Sequence, residues 1–405
     1  MGSAQSKPVI DGLGYSPSFP FAGATTESKR KLEQLIRAND HNFGFLFNER
    51  KFHNHSPHHL ISAFFLGATA EQLTSIYEDH ANELSPWSEE IPVELTDSDW
   101  KTFLGDKSYE RAFYNFFFDK INDSRSDWRS VARHFLSSEG LVRGLTGGLV
   151  HPIIHLGYAV EVDSREIAIE ALAMACTEYL DIGSKVPKIR LDHQTSDPYE
   201  IINKIRNDES FDGKLTDTAD YSTAEYLDMF GPQIAKYGSE LQLDDQRASL
   251  KKLLHAATSL LVATHKDNEK PVFDFFLLHA LTSTQALAEI LLTSGEKLIS
   301  KDQGESLLRD LWTVYVLLYI SQLRPLIKFE RITGIEITSR DAAWNETIAL
   351  ALTGPRRLDS HYVKAIRALL FAEEFCEDTT GFYARAALCF ARNHTHYTGR
   401  NFDGT

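Results

Sequence analysis

Sixteen histidines are spread unevenly along this chain, and half of them fall in four short stretches. "FHNHSPHH" holds His53, His55, His58 and His59. "GLVHPIIHLGYAV" holds His151 and His155, four apart. "FDFFLLHALTS" places His279 deep in an apolar run. "DSHYVKAIRALL" sets His361 and Lys364 three apart, behind Asp359. Imidazole suits iron, zinc and copper. Two of them at i and i+4 lie on one side of a helix and can reach one ion.

Each stretch also has a plainer reading. His279 is explained by a bond to a carbonyl one turn back. The cluster from His53 to His59 is explained by capping at a helix start, and Lys364 by a stem that snorkels to solvent. Taken together, four histidine-bearing helices in one bundle have a common interior on which to converge. Lys364 adds to that chemistry. Burial and a neighbouring cation lower an ammonium pKa. The neutral amine can bind a metal, or take up carbon dioxide as a carbamate and supply the anionic oxygen that an all-histidine site lacks.

The elements that would position these residues are helical. "SPHHLISAFFLGATAEQLTSIYEDHA" reads as one helix capped by Ser56, with Pro57 at its first position and Gly67 allowing close helix approach. Further helices are expected after Gly105, after a cap at Ser126 or Asp127, from Pro152, and over "DSREIAIEALAMACTEYLDIG". Later ones read at about 222–236, 244–264, 271–293, 301–328, 340–353, 360–376 and 380–393. Residues 184–220 read as a long connection. "KFERITGIEIT" (328–338) is the one candidate hairpin. The fold class is therefore all-α, a single large multi-helix bundle-like domain with long connections. It comprises an irregular arm over 1–25, a helical catalytic domain over 26–393 and a C-terminal tail over 394–405.

Composition excludes several classes. The net charge of −15, with no basic cluster, argues against nucleic acid as a partner. Cys176, Cys376 and Cys389 are odd in number and widely spaced, so no disulfide framework is expected and a reducing, cytoplasmic location fits. No run of 18 apolar residues suggests a membrane span, and the first 25 residues lack a secretory h-region. "MGSAQSK" matches the myristoylation pattern at Gly2 and Ser6, with coincidence as the competing reading. There is no GxGxxG after a strand, no GxxxxGK[ST], no GxSxG and no HExxH. A ferritin-like di-iron site fails too, because no glutamate stands three residues before a histidine.

"NHSPHHLISAFFLGA" (54–68), "GGLVHPIIHLGYAVE" (147–161), "FDFFLLHALTST" (273–284) and "DSHYVKAIRALL" (359–370) together resemble the questin oxidase-like family, in the family's order. The resemblance implies an oxidoreductase of polyketide pathways. Such an enzyme opens a ring of an anthraquinone-type substrate, by Baeyer–Villiger-like or oxygenative carbon–carbon cleavage. It also implies NADPH, for which this sequence carries no recognisable site. A neighbouring dehydrogenase or free NADPH acting as reductant on the quinone would reconcile the two.

Resemblance and residues fit one mechanism. Dioxygen chemistry needs a redox centre, and the histidines offer one for non-haem Fe(II). His55, His151, His279, His361 and Lys364 are assigned to the metal shell with His155 close behind, four or five of the six being ligands. His58 and His59 are expected behind the ligands or facing the substrate, and Asp359 is expected to orient His361. "FYNFFF" (113–118) and Tyr158 could wall a flat tricyclic substrate, with core packing as the competing reading. Two other functions stay open. One is a metal-free, NADPH-dependent Baeyer–Villiger monooxygenase using the histidines as bases. The other is a non-catalytic helical scaffold in a biosynthetic assembly. The scaffold predicts His151 and His361 more than roughly 15 Å apart, far beyond the span of two metal–nitrogen bonds. Oligomeric state is not legible.

Overall fold

The computed structural model describes residues 25–123, 127–189, 193–215, 222–243, 245–265, 271–292 and 297–399. The arm over residues 1–24, with its Gly2 and Ser6 motif, and residue Ser126 lie outside them.

Four helices carry the histidine stretches: Ser56–Phe65, His151–Val162, Phe275–Leu292 and Ser360–Cys376. All four are buried along nearly their whole length. The Phe275 helix is long and apolar enough to cross a membrane, yet most of it is enclosed by protein. The sequence explains both the interior position and the ends. Apolar residues surround these helices on all sides, which marks a core helix rather than a surface one. Short polar side chains then stop the chain at defined points. Asp127, Ser164, Asp245, Ser300 and Asp359 each accept a backbone N–H at a helix start. Buried apolar residues from 32 to 397 form one continuous cluster around the histidine-bearing helices.

The all-α expectation holds. The only strands among the described residues are two short pairs. Leu46–Phe47 pairs antiparallel with Phe52–His53, and Phe273–Asp274 pairs parallel with Tyr397–Thr398. Several boundaries differ from the sequence reading. The first long helix is two, Ser56–Phe65 and Ala70–Ala81, because Gly67 takes a left-handed φ of 96° and turns the chain. Its cap position is His55 rather than Ser56. The 328–338 hairpin is instead a helical turn, Glu330–Thr333. Part of the 184–220 connection is the Pro198–Arg206 helix, opened by Asp197 and Pro198. Within the 394–405 tail, Tyr397 and Thr398 bond alongside Phe273 and Asp274.

Gly157 sets the approach of two of these helices. A Cβ there would sit 2.5 Å from Ala286 Cβ and 2.6 Å from Ala286 Cα. The His151 and Phe275 helices therefore touch backbone to backbone. Alanine is the better helix former by about 1 kcal/mol, but overpacking costs about 1–3 kcal/mol. A clash with main chain has no flexible relief. Gly157→Ala should lower the urea midpoint; an unchanged or raised midpoint would contradict this packing.

Candidate metal centre

The helix that carries His151 starts under strain. Gly148, Leu149 and Val150 occupy left-handed backbone with φ of 51°, 50° and 60°. A β-branched residue in this region is a genuine outlier, and such residues cost about 1–3 kcal/mol each. Close packing on Glu178 holds the turn. A Cβ on Gly147 would lie 1.8 Å from the Glu178 carbonyl oxygen. The result is a specific orientation of His151, whose Nδ1–H donates to the Gly148 carbonyl at 2.7 Å. That fixes the tautomer and leaves the Nε2 lone pair pointing inward.

His279 repeats this logic on an ordinary helix. Its Nδ1–H donates to the Phe275 carbonyl at 2.8 Å, one turn back. Its Nε2 is buried with no partner. The plain reading of His279 as a carbonyl-bonded core histidine is therefore right about one nitrogen and leaves the other free to act.

The nitrogens converge. His55 Nε2 lies 2.9 Å from His151 Nε2. Two donors at right angles on one ion, each about 2.1 Å from it, stand about 3.0 Å apart. Ligand atoms of His55, His151 and His361 all fall within 4.8 Å of one another. The His279 ring centroid is 4.9 Å from that of His151 and 5.3 Å from that of His361. His361 Nε2 and Lys364 Nζ are, like His279 Nε2, buried without partners. Burial pulls the Lys364 ammonium down to about 7, with Asp359 opposing. It also holds His55, His151 and His361 well below the usual range, and His279 near 3. Imidazoles held neutral, three of them with ligand atoms grouped and the His279 ring beside them, form with the buried Lys364 amine a donor set that fits a divalent transition metal. The convergence also fails the one geometric prediction of the scaffold reading.

Other expected residues stand elsewhere. His155 has no nitrogen left for a metal. Its Nδ1 faces His58 Nε2 at 2.8 Å and its Nε2 faces Glu170 Oε2 at 2.6 Å. The i, i+4 spacing keeps it on the same side as His151, but one turn deeper, where the neighbouring Arg165–Thr177 helix presents Glu170. His58 is completely buried between His55 and His155 and stacks on Tyr158, so it does not face an open substrate. His59 is fully engaged, with Nε2–H donating to the Arg357 carbonyl and Nδ1 accepting from His80. Asp359 accepts the backbone N–H groups of His361 and Tyr362 instead of the His361 ring, because it is the helix cap. Most of the 113–118 run is core: Phe113, Phe116 and Phe117 are buried, Phe116 and Phe117 pack on Phe135, and Phe118 is exposed. Tyr158 is buried too and bonds Ser62.

Two residues at the centre had no site role assigned from sequence. His53 stacks on His151 at 3.9 Å and 11°, and its Nε2–H donates to Glu178, which also receives Lys107. Its place in "FHNHSPHH" was the available signal. Half-buried Phe275 lies 4.8 Å from His279 and 4.7 Å from His361. It is the aromatic ring that stands beside the histidines, a place the 113–118 run does not reach.

Fold and site define a helical protein whose core holds a metal-competent histidine cluster. Comparison with known proteins sharpens that class. The model of the questin oxidase-like family matches residues 52–369, and the chain belongs to this family. It is 22% identical over 377 residues to the questin oxidase of Aspergillus fumigatus, covering 84% of this chain and 80% of that protein. It is 23% identical over 392 residues to an oxidoreductase of Aspergillus parasiticus, covering 90% and 77%. A Baeyer–Villiger monooxygenase of Aspergillus aculeatus is 30% identical over 177 residues, but only 41% of this chain and 36% of that protein are covered. The chain is thus a member of a family of oxidoreductases.

The His155–Glu170 pair has its own pH signature. Burial pushes the Glu170 carboxyl up from 4.5 to about 8 and the His155 imidazole down to about 3. The pair is therefore neutral near pH 7. Between about pH 5 and 8 the folded protein keeps a proton on Glu170 that the unfolded chain has released, so rising pH favours unfolding there. Glutamine has no such proton. Across that window the stability of Glu170→Gln relative to wild type should shift in the variant's favour; parallel stability–pH curves would contradict the assignment.

Proposed function

We propose that the protein is a metal-dependent oxygenase that cleaves a ring carbon–carbon bond of an anthraquinone-type aromatic polyketide. Iron(II) would be held by His55, His151, His279 and His361, with Lys364 as a fifth donor. The observation that carries this reading is the grouping of His55, His151 and His361 ligand atoms, with the His279 ring against them and a buried, unpartnered Lys364 amine on the same helix as His361. The substrate class is taken from the names of the relatives.

Bound iron would supply the one-electron chemistry that lets dioxygen react with a closed-shell aromatic ring. The chain's own residues have definable tasks. The Gly148 and Phe275 carbonyls hold the His151 and His279 tautomers. Phe275 offers a ring face for a flat substrate. His53, oriented by Glu178 and Lys107, is placed to exchange a proton with a phenolic oxygen near His151. Lys364 in its neutral form can add to carbon dioxide, losing one proton and giving a carbamate. That oxygen anion would offset metal charge, since the grouped ligand atoms are all imidazole nitrogens.

A substrate arriving as a quinone needs two electrons before oxygen can attack it, and NADPH or a partner dehydrogenase is the assigned source. The second reading is a metal-free Baeyer–Villiger monooxygenase, favoured by the name shared by several relatives. Chelation separates the two. Exhaustive removal of metal should abolish cleavage of a reduced anthraquinone, and ferrous ion should restore it. Alanine at His55, His151, His279 or His361 should weaken metal binding at least about tenfold. His155→Gln should keep the metal while losing about 1–3 kcal/mol of stability. Full activity without metal would overturn the proposal.

A further inference from the structure

The four histidine-bearing helices meet a second time, deeper in the core. Arg367, on the Ser360 helix and 3% exposed, donates from Nη2 to Glu161 Oε1 at 2.6 Å. Glu161 belongs to the His151 helix. Glu289 belongs to the Phe275 helix and shares the field of both groups: Glu161 pushes its carboxyl up and Arg367 pulls it down, on top of a larger upward push from burial. The guanidinium lies over the Phe65 ring at 4.8 Å, and Phe65 ends the Ser56 helix.

The spacing is regular. Phe65, Glu161 and Glu289 each stand ten residues after His55, His151 and His279, which is about 15 Å along a helix. Arg367 stands six residues after His361, or about 9 Å. Each helix thus gives one member to the histidine cluster and one to this charged cluster.

A buried ion pair is a poor source of net stability, because desolvation offsets the attraction. Its best-attested use is to specify register. Register is what a metal centre needs most, since ligand distances must hold to about 0.2 Å while one residue of slip moves a ligand 1.5 Å.

We infer that Glu161, Arg367, Glu289 and the Phe65 ring form a register clamp. It fixes the four ligand-bearing helices along their axes and so sets the metal affinity of the histidine centre. These are positioning residues, and the inference rests on the metal-centre reading.

The test compares wild type with Glu161→Leu/Arg367→Met/Glu289→Leu, measuring anaerobic Fe(II) affinity and the urea midpoint of the metal-free protein. Apolar side chains of similar size should leave the midpoint equal or raised, while Fe(II) binding weakens at least about tenfold, the scale seen when supporting residues of metal sites are lost. Wild-type affinity in the variant overturns the clamp, and so does a loss of affinity that only tracks a fall in midpoint. Wild-type protein that binds no Fe(II) overturns the metal centre as well, which separates the two failures. If the triple variant does not fold, Arg367→Lys decides. It keeps the charge but loses the planar fork, and should weaken Fe(II) binding with little change in midpoint. Unchanged binding overturns the inference.

Discussion

A neutral imidazole has one donor nitrogen and one acceptor nitrogen, and in this core the donors of His151 and His279 are spent on main-chain carbonyls. Their acceptors are left facing His55 and His361 across a space a few ångströms wide. His55 Nε2–H meets the His151 lone pair, while His279 Nε2 and His361 Nε2 have no partner, and an unpartnered buried nitrogen stabilises nothing by itself. On the proposed reading a cation at their focus would satisfy these nitrogens, and the same burial that depresses the imidazole pKa values would keep them available for it. The rest of the structure is organised around this constraint.

Holding four such rings in place takes unusual backbone. The left-handed run at 148–150 turns the chain so that His151 enters its helix already bonded to Gly148. Gly157 lets the His151 and Phe275 helices approach to backbone contact. Around the ring cluster lies a second set of histidines with structural tasks. His58 and His155 run back to Glu170, and His59 ties His80 to the Arg357 carbonyl in the turn that leads to Asp359 and His361. The catalytic proposal and the packing therefore use one residue type in two ways, separated by whether any nitrogen remains free.

Much of this could be read from sequence. The helical class, most helix limits after residue 222, and the four stretches that meet at the centre follow from apolar spacing and capping residues. What failed were inferences needing a third dimension. Spacing four apart puts His151 and His155 on one side of a helix, but does not reveal that Glu170 waits one turn deeper. Asp359 precedes His361, and capping the backbone won over orienting the ring. Phe113 to Phe118 look like a wall because they are aromatic, yet the ring beside the histidines is Phe275, one turn before His279. Glu161, Glu170 and Glu289 each interrupt an apolar run. Charged residues in such positions deserve the same scrutiny as the histidines.

Crystals loaded with ferrous ion under anaerobic conditions, measured at the iron absorption edge, test the central claim most directly. The account predicts one anomalous peak about 2.1 Å from an imidazole nitrogen of each of His55, His151, His279 and His361, with His155 still bound to His58 and Glu170. No peak there, with the four rings bonded only to one another and to protein, would contradict it.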